Sequence, residues 1–568
     1  MRFISEKTHM RANHTMKTNI TTLTTCLFLS AHAFAAAEES RSEAKTAGGK
    51  PNIVVILADD LGYGDVQCYN PQRGKIPTPN IDRLASQGMR FTDGHSSSGV
   101  CSPSRYTLLT GRYHWRTRLQ GGIVGAFEGP LIAPDRMTIG TLAKQNGYRT
   151  ACIGKWHLGM DWLITKEQRA LLSPSTPPAD EAAKAGKKAA AAGAVATEEQ
   201  IAAWRDIFSK PIAGGPITRG FDLYFGTSVP NWPPFCFIEN DRTVGIPSQF
   251  LPREYMVKNQ ASQQGPAVKD WKLEGILPAL GDRTIQFINE SVSKKEPFLV
   301  FMPLTSPHTP LAVTPEWKGK SGLNSFADFV METDAVVGRV LDALEKSGVA
   351  DNTLVIFTAD NGCAPYVGAK ELEEKGHYPS GPLRGYKADA WEGGHRVAFI
   401  ARWPSMVKAG TVCSQLVYQA DFLRTFADVF GAKLPDNAGE DSFSLLPLLK
   451  GEDKPIRENA VSASIHGTPA VRKGSWKYIA APGSGGWGSG GDQSQPIQLY
   501  NLADDLGETN NLAAAMPEKV AEMKVLLEKL INDGRSTPGV AQKNDVEVKR
   551  YPVEATTTPK KKKAKTAK

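Results

Sequence analysis

The segment Asn52-Ile-Val-Val-Ile-Leu-Ala58 constrains this chain most: it is apolar from its second residue, rich in β-branched side chains and free of alternation. A run of about 4–8 such residues suits a strand covered on both faces. The pattern recurs at Pro297-Phe-Leu-Val-Phe-Met302 and Thr353-Leu-Val-Ile-Phe-Thr358. Between these runs lie stretches with helical spacing, such as Ile81-Asp-Arg-Leu-Ala-Ser-Gln-Gly88 with its glycine stop, and residues 327–344. Buried strands alternating with helices imply an α/β fold, a large and mostly parallel central sheet flanked by helices. The 568 residues, 41 % hydrophobic and 22 % charged, suit such a core and fit neither a disordered chain nor a membrane bundle.

Two of the buried runs end alike, the first in Asp59-Asp60 and the third in Asp360-Asn361. In an open α/β sheet, ligands bind at the carboxyl ends of strands. Three carboxylates converging there would repel one another unless a cation neutralised them. All four side chains offer hard oxygen ligands, which suit Ca²⁺ or Mg²⁺. The plainer alternative is that Asp-Asp and Asp-Asn merely cap turns.

Gly99-Val-Cys-Ser-Pro-Ser-Arg-Tyr-Thr-Leu-Leu-Thr-Gly111 carries the most specific pattern. Pro103 suits the first turn of a helix with Ser102 as its cap, which puts Cys101 at a helix N-terminus, where unpaired N–H groups favour an anion. The segment resembles the sulfatase signature C-x-P-x-R followed by an apolar pair and T-G. A second sulfatase pattern follows at Gly147-Tyr-Arg-Thr-Ala-Cys-Ile-Gly-Lys-Trp-His157. With the two strand-end pairs, residues 50–405 are similar to a formylglycine-dependent (type I), arylsulfatase-like member of the alkaline-phosphatase superfamily. The resemblance implies that Cys101 is oxidised by a maturation enzyme to Cα-formylglycine. One hydroxyl of its hydrate attacks sulfur, and the other expels sulfate by re-forming the aldehyde.

The resemblance also implies a ligand set of Asp59, Asp60, residue 101, Asp360 and Asn361 around one Ca²⁺, preferred to Mg²⁺ because such a shell is larger and more flexible. Arg105 matches the arginine that holds the nucleophile, Lys155 a sulfate-binding lysine, and His157 the histidine that helps collapse the intermediate. His308, in Ser-Pro-His-Thr-Pro, matches the histidine beside the leaving oxygen. Lys387 matches the second sulfate-binding lysine and acid, with Lys370 and Lys375 as nearby competitors. With calcium these charges leave a net positive site, suited to a singly charged sulfate ester. The implied activity is hydrolysis of sulfate esters, with a sulfated small molecule or saccharide as substrate. Alternatives are a phosphonate monoester hydrolase or phosphodiesterase using the same aldehyde, a two-metal phosphatase, and an exported protein that only binds polysaccharide.

The remaining regions read as accessory. Residues 1–35 resemble a secretory signal, with Lys17, an apolar stretch and Ala33-Phe34-Ala35 as cleavage site, so the protein is expected in the periplasm or outside the cell. Residues 36–50 read as a linker, 51–410 as the catalytic domain, 163–213 as a surface insertion, and 411–540 as a smaller α+β subdomain with a glycine-rich flexible loop at 483–491. The polar tail 541–568 reads as disordered. The formal charge of +8 comes from both ends: residues 1–35 carry +3 and the last ten residues +6, leaving the body near −1. That gives no case for nucleic-acid binding, and no later run is long enough to span a membrane. The seven cysteines form no CxxC pair or disulfide framework. Trp115, Arg116 and Arg118 are candidates for a sugar subsite or, equally, for a solvated basic face.

Overall fold

The structure is a computed structural model and describes residues 49–174, 195–256 and 262–551. The signal-like segment with Cys26, most of the linker, the Ala/Lys-rich part of the insertion and the lysine-rich end of the tail lie outside the described residues. All but two of the described residues belong to the compact unit Pro51–Lys568.

The three apolar runs are the middle of a ten-stranded sheet. Strand Asn52–Asp59 lies between Phe298–Pro307 and Thr353–Ala359, parallel to both. Arg149–Lys155 and then Leu223–Thr227 continue the parallel order beyond Phe298–Pro307. Shorter strands at the two edges are mostly antiparallel. The absence of alternation has its expected cause. Val54 and Ile56 face a core shared with helices Ile276–Ser293 and Ser325–Lys346, whereas Ile53, Val55 and Leu57 face a second core on the other side. Successive side chains point to opposite faces, so a strand buried on both must be apolar throughout.

The second core includes Leu108 and Leu109 of helix Cys101–Thr110 and Phe422, Leu423 and Phe426 of helix Phe422–Phe430. It also takes in Trp204, Ile207 and Phe208 of helix Glu198–Phe208, so this part of the expected surface insertion is built into the core. Toward the C-terminus, Asn459–Ala463, Pro469–Lys473, Trp476–Ile479 and Gln498–Asn501 form an antiparallel sheet. Helix Pro517–Asn532 covers it with Val520, Met523, Leu527 and Ile531.

The tail departs from expectation. Residues 541–551 pack against the body: the Asp545 carboxylate accepts from Arg112, its backbone N–H donates to the Arg116 carbonyl, and Val548 is buried. A polar composition suggested solvation, but buried guanidinium groups need partners, and these residues supply them. Among the described residues no helix is long and apolar enough to cross a membrane, and the six described cysteines are free thiols.

Candidate active site

Parallel order with near-level register brings the strand ends together. The strands end on Asp59, Lys155, Pro307 and Ala359, and Asp60, His308, Asp360 and Asn361 follow directly. The Asp360 N–H donates to the Ala58 carbonyl (3.0 Å), and the Asp60 N–H to Asp360 Oδ1 (3.1 Å). Asp60 and His157 both hold left-handed backbone, with φ of 64° and 54°. Strain of this kind gathers where side chains must be aimed.

Cys101 opens helix Cys101–Thr110, behind extended Val100. The expected Ser102 cap is not formed. The helix starts two residues earlier, with Val100 in the cap position, so Ser102 lies inside its first turn and its hydroxyl accepts from the Val124 N–H (3.1 Å). Burial pushes the Cys101 thiol up to about 12, against the pull of Lys155 and Lys387. A thiol held protonated at neutral pH is a poor nucleophile.

The charged side chains form one buried lattice. Lys155 Nζ donates to Asp59 Oδ2 (2.7 Å) and Lys387 Nζ to Asp60 Oδ2 (2.6 Å). Each ammonium keeps further hydrogens for an anion. Lys375, by contrast, pairs with Glu371 on the exposed Ala369–Glu374 helix and its flank. Arg105 places two hydrogen bonds on Asp360 Oδ2 (3.0 and 2.8 Å) and one on the Lys155 carbonyl (2.7 Å). Its direct partner is thus a carboxylate. Burial alone would raise Asp59 and Asp60, but the neighbouring cations hold both below the usual range. Burial and the charge on Asp59 raise Asp360.

Oxygens are left over. Asp59 Oδ1 and Asn361 Oδ1 are buried without a hydrogen-bond partner, while Asn361 Nδ2 donates to Asp60 Oδ1 (2.8 Å). One ligand atom each from Asp59, Asp60, Cys101 and His308 lies within 4.8 Å of the others. Orphaned hard oxygens at a cluster of carboxylates fit a calcium-like ion.

The two histidines differ in what they present. His157 Nε2 faces the Val124 carbonyl (3.1 Å), which can only accept, so Nε2 carries the hydrogen and buried Nδ1 is a bare base with no partner. Burial, Lys155 and Arg105 hold its pKa well below the ordinary value. His308 Nδ1 meets the Thr309 carbonyl (2.5 Å), and its Nε2 lies 3.5 Å from Asp60 Oδ2.

Cys101, His157, His308 and Lys387 line a cleft of about 640 Å³. Asn231, Trp232, Tyr366 and Trp487 also line it, none of which the sequence singled out. The only hint was Trp487 as the lone aromatic in the glycine-rich stretch 483–491. Trp115 and Arg116 are elsewhere and buried. Arg116 clamps Asp441 (2.9 and 2.8 Å) beneath the Trp115 ring, which is neither a subsite nor a solvated face. Arg118 is exposed and donates to the Gly129 carbonyl.

Residues 51–177 and 248–432 match the sulfatase family. The chain belongs to that family. An N-acetylgalactosamine-6-O-sulfatase of Bacteroides thetaiotaomicron is 34 % identical over 520 residues, 84 % of this chain and 93 % of that one. Human arylsulfatase A is 30 % identical over 505 residues, 84 % and 87 %. A solved structure from work on glycosaminoglycan metabolism by B. thetaiotaomicron superimposes with a TM-score of 0.71 at 31 % identity, covering 85 % of this sulfatase and 99 % of that chain. This sulfatase is therefore an enzyme that hydrolyses sulfate esters, and the purely polysaccharide-binding alternative falls.

Proposed function

We propose that this sulfatase removes sulfate from a sulfated carbohydrate, using Cys101 as Cα-formylglycine and one Ca²⁺ held by Asp59, Asp60, Asp360 and Asn361. The observation that carries the reading is geometric: residue 101 opens a helix at a cleft where it meets the Asp59, Asp60 and His308 ligand atoms, with the unpartnered imidazole nitrogen of His157 lining the same cleft. When present, the calcium ion supplies Lewis acidity toward the sulfate oxygens and the aldehyde hydrate supplies the attacking hydroxyl. Lys155 and Lys387 hold the sulfate by their remaining N–H groups, and the first turn of helix Cys101–Thr110 adds its field. His157 Nδ1 takes the proton of the hydrate. His308 Nε2 faces the alcohol that leaves. Arg105 holds Asp360 for the ion. Names containing N-acetylgalactosamine and glycosaminoglycan among the relatives support a sulfated sugar, and the signal-like residues 1–35 support action outside the cytoplasm.

Two measurements test this reading. Protein made with a formylglycine-installing enzyme is expected to lose about 18 Da at the peptide bearing residue 101, the exchange of CH₂SH for CHO. It is then assayed on 4- and 6-sulfated N-acetylgalactosamine and galactose beside 4-nitrophenyl sulfate. Full activity of the unmodified thiol overturns the aldehyde, and turnover of the aryl ester alone overturns the carbohydrate.

A further inference from the structure

Among the described residues only two aromatic side chains are exposed, Tyr366 and Trp487, at 43 % and 46 %, and both line the cleft that holds Cys101. Their rings are 6.2 Å apart at 52°. The Tyr366 hydroxyl lies 3.4 Å from Asp60 Oδ2, and its ring centroid is 5.9 Å from Lys387 Nζ. Tyr366 therefore runs from the charged floor toward Trp487.

Trp487 is placed on purpose by the loop that carries it. The Gly488 N–H donates to Asp389 Oδ1 (2.7 Å), and the Ala390 N–H donates to the Ser484 carbonyl (2.8 Å). A Cβ on Gly486 would lie 2.1 Å from the Ala388 carbonyl oxygen, and one on Gly488 2.5 Å from Asp389 Oδ2. The glycines let the loop lie flat on the segment that bears Lys387, so what reads as a flexible stretch is tied down. Across the cleft, Asn231 is 5 % exposed, its Nδ2 donates to Ser262 (2.7 Å), and its Oδ1 is buried without a partner. Two exposed rings cost free energy in water unless a ligand covers them.

We infer that Tyr366 and Trp487 form a platform for the pyranose ring that carries the sulfate, with Asn231 Oδ1 accepting from one of its hydroxyls. The inference rests on the carbohydrate reading above. The C–H face of a pyranose is weakly positive and meets the negative face of the indole. The sulfate enters the lattice of Lys155 and Lys387, and its alcohol lies outward, where the platform stands.

The test compares Trp487→Ala, Trp487→Phe and Gly488→Ala with wild type on the sulfated monosaccharide that wild type hydrolyses fastest in the panel above. Inorganic sulfate, which has no ring, serves as competitive inhibitor. Trp487→Ala is expected to raise KM about tenfold with kcat within about twofold and the sulfate inhibition constant unchanged. Gly488→Ala should reproduce the effect by lifting the loop, and Trp487→Phe should restore most of it. Because Trp487 is half exposed, its truncation opens no core cavity. An unchanged KM in Trp487→Ala overturns the platform, as does a parallel loss of sulfate inhibition, which would make Trp487 a support of the anion site. A wild type that cleaves only aryl sulfate overturns the carbohydrate reading instead.

Discussion

Two of the acidic clusters that the described residues bury are built to opposite ends. In the first, Asp59, Asp60 and Asp360 face Arg105, Lys155 and Lys387, yet Asn361 Oδ1 accepts no hydrogen bond, Asp59 Oδ1 has only the Arg105 guanidinium at 3.5 Å, and the group opens on a cleft. In the second, His95, Glu392 and His395 could likewise gather about a metal. There, however, Lys477 Nζ sits 2.9 Å from Glu392, 2.8 Å from Glu508 and 3.3 Å from His395. Arg472 and Arg396 flank Asp93 and Glu392. The chain's own ammonium fills the place of an ion. On the calcium reading proposed above, the first cluster differs in keeping an oxygen, Asn361 Oδ1, that none of the chain's own donors reaches.

The largest expected effect separates the clusters outright. Chelation, or Asp60→Asn, should remove turnover altogether, and calcium at about a hundred times its dissociation constant should raise the stability of wild type by about 2.7 kcal/mol. Asp60→Asn should lose that calcium-dependent rise in Tm. Normal turnover by protein free of detectable metal would erase the distinction between the clusters.

Within the open cluster, His308 and Lys155 should differ by substrate. A sugar sulfate expels an alkoxide that needs a proton in the transition state, whereas an activated aryl sulfate expels a stable phenoxide. General-acid help is worth about 10²–10⁴-fold. His308 can give that proton only as the imidazolium, because its Nδ1 hydrogen faces the Thr309 carbonyl, with Asp60 3.5 Å from Nε2 to favour that form. In that role His308→Ala should lower kcat/KM on the sugar ester far more than on the aryl ester, and Lys155→Ala should lower both alike. Equal losses for His308→Ala would assign it to sulfate binding and leave Lys387 as the acid.

The contrast between the clusters also marks what was legible in the sequence. Apolar runs, strand-end carboxylates and the segments around Cys101 and Lys155 are local patterns, and the parallel sheet assembles them as their order implies. Lys387 could not be told from Lys375 by spacing, because what distinguishes them is burial against Asp60. Asn231, Tyr366 and Trp487 reach one cleft from distant stretches with no shared motif. Arg116 read as a sugar subsite or a solvated basic face because Asp441, its partner, lies 325 positions away. The second cluster was unreadable for the same reason, drawing on Asp93, Glu392, Lys477 and Glu508.

Closing the second cluster should matter for stability and not for metal. Lys477→Met leaves Glu392 and Glu508 buried without their ammonium, a change worth about 3–5 kcal/mol. Denaturant unfolding should show that loss, and calcium should not repair it. Rescue by calcium would mean that an ion can take the vacated place, and the two clusters would be the same device in two states.

The smallest effect concerns how the two carboxylates share that one lysine. Burial would raise both, but Lys477, His95 and Arg472 hold Glu392 well below its usual value. Burial and the charge on Glu392 push Glu508 up to about 7. Glu508 therefore takes up a proton in the folded state at a pH where the unfolded chain, titrating near 4.5, has none. Its contribution to stability falls as pH rises through about 7 and recovers as pH drops toward 4.5, with a slope of at most about 1.4 kcal/mol per pH unit. Glu508→Gln mimics the protonated form, so it should cost about 1 kcal/mol or less at pH 8 and flatten the slope between pH 6 and 8. Glu392→Gln should cost several times more, because it removes the carboxylate that Lys477, Arg396 and Arg472 all face. Denaturant midpoints at pH 6, 7 and 8 decide it. Equal losses for the two variants would mean that Lys477 serves both carboxylates equally and that Glu508 stays charged.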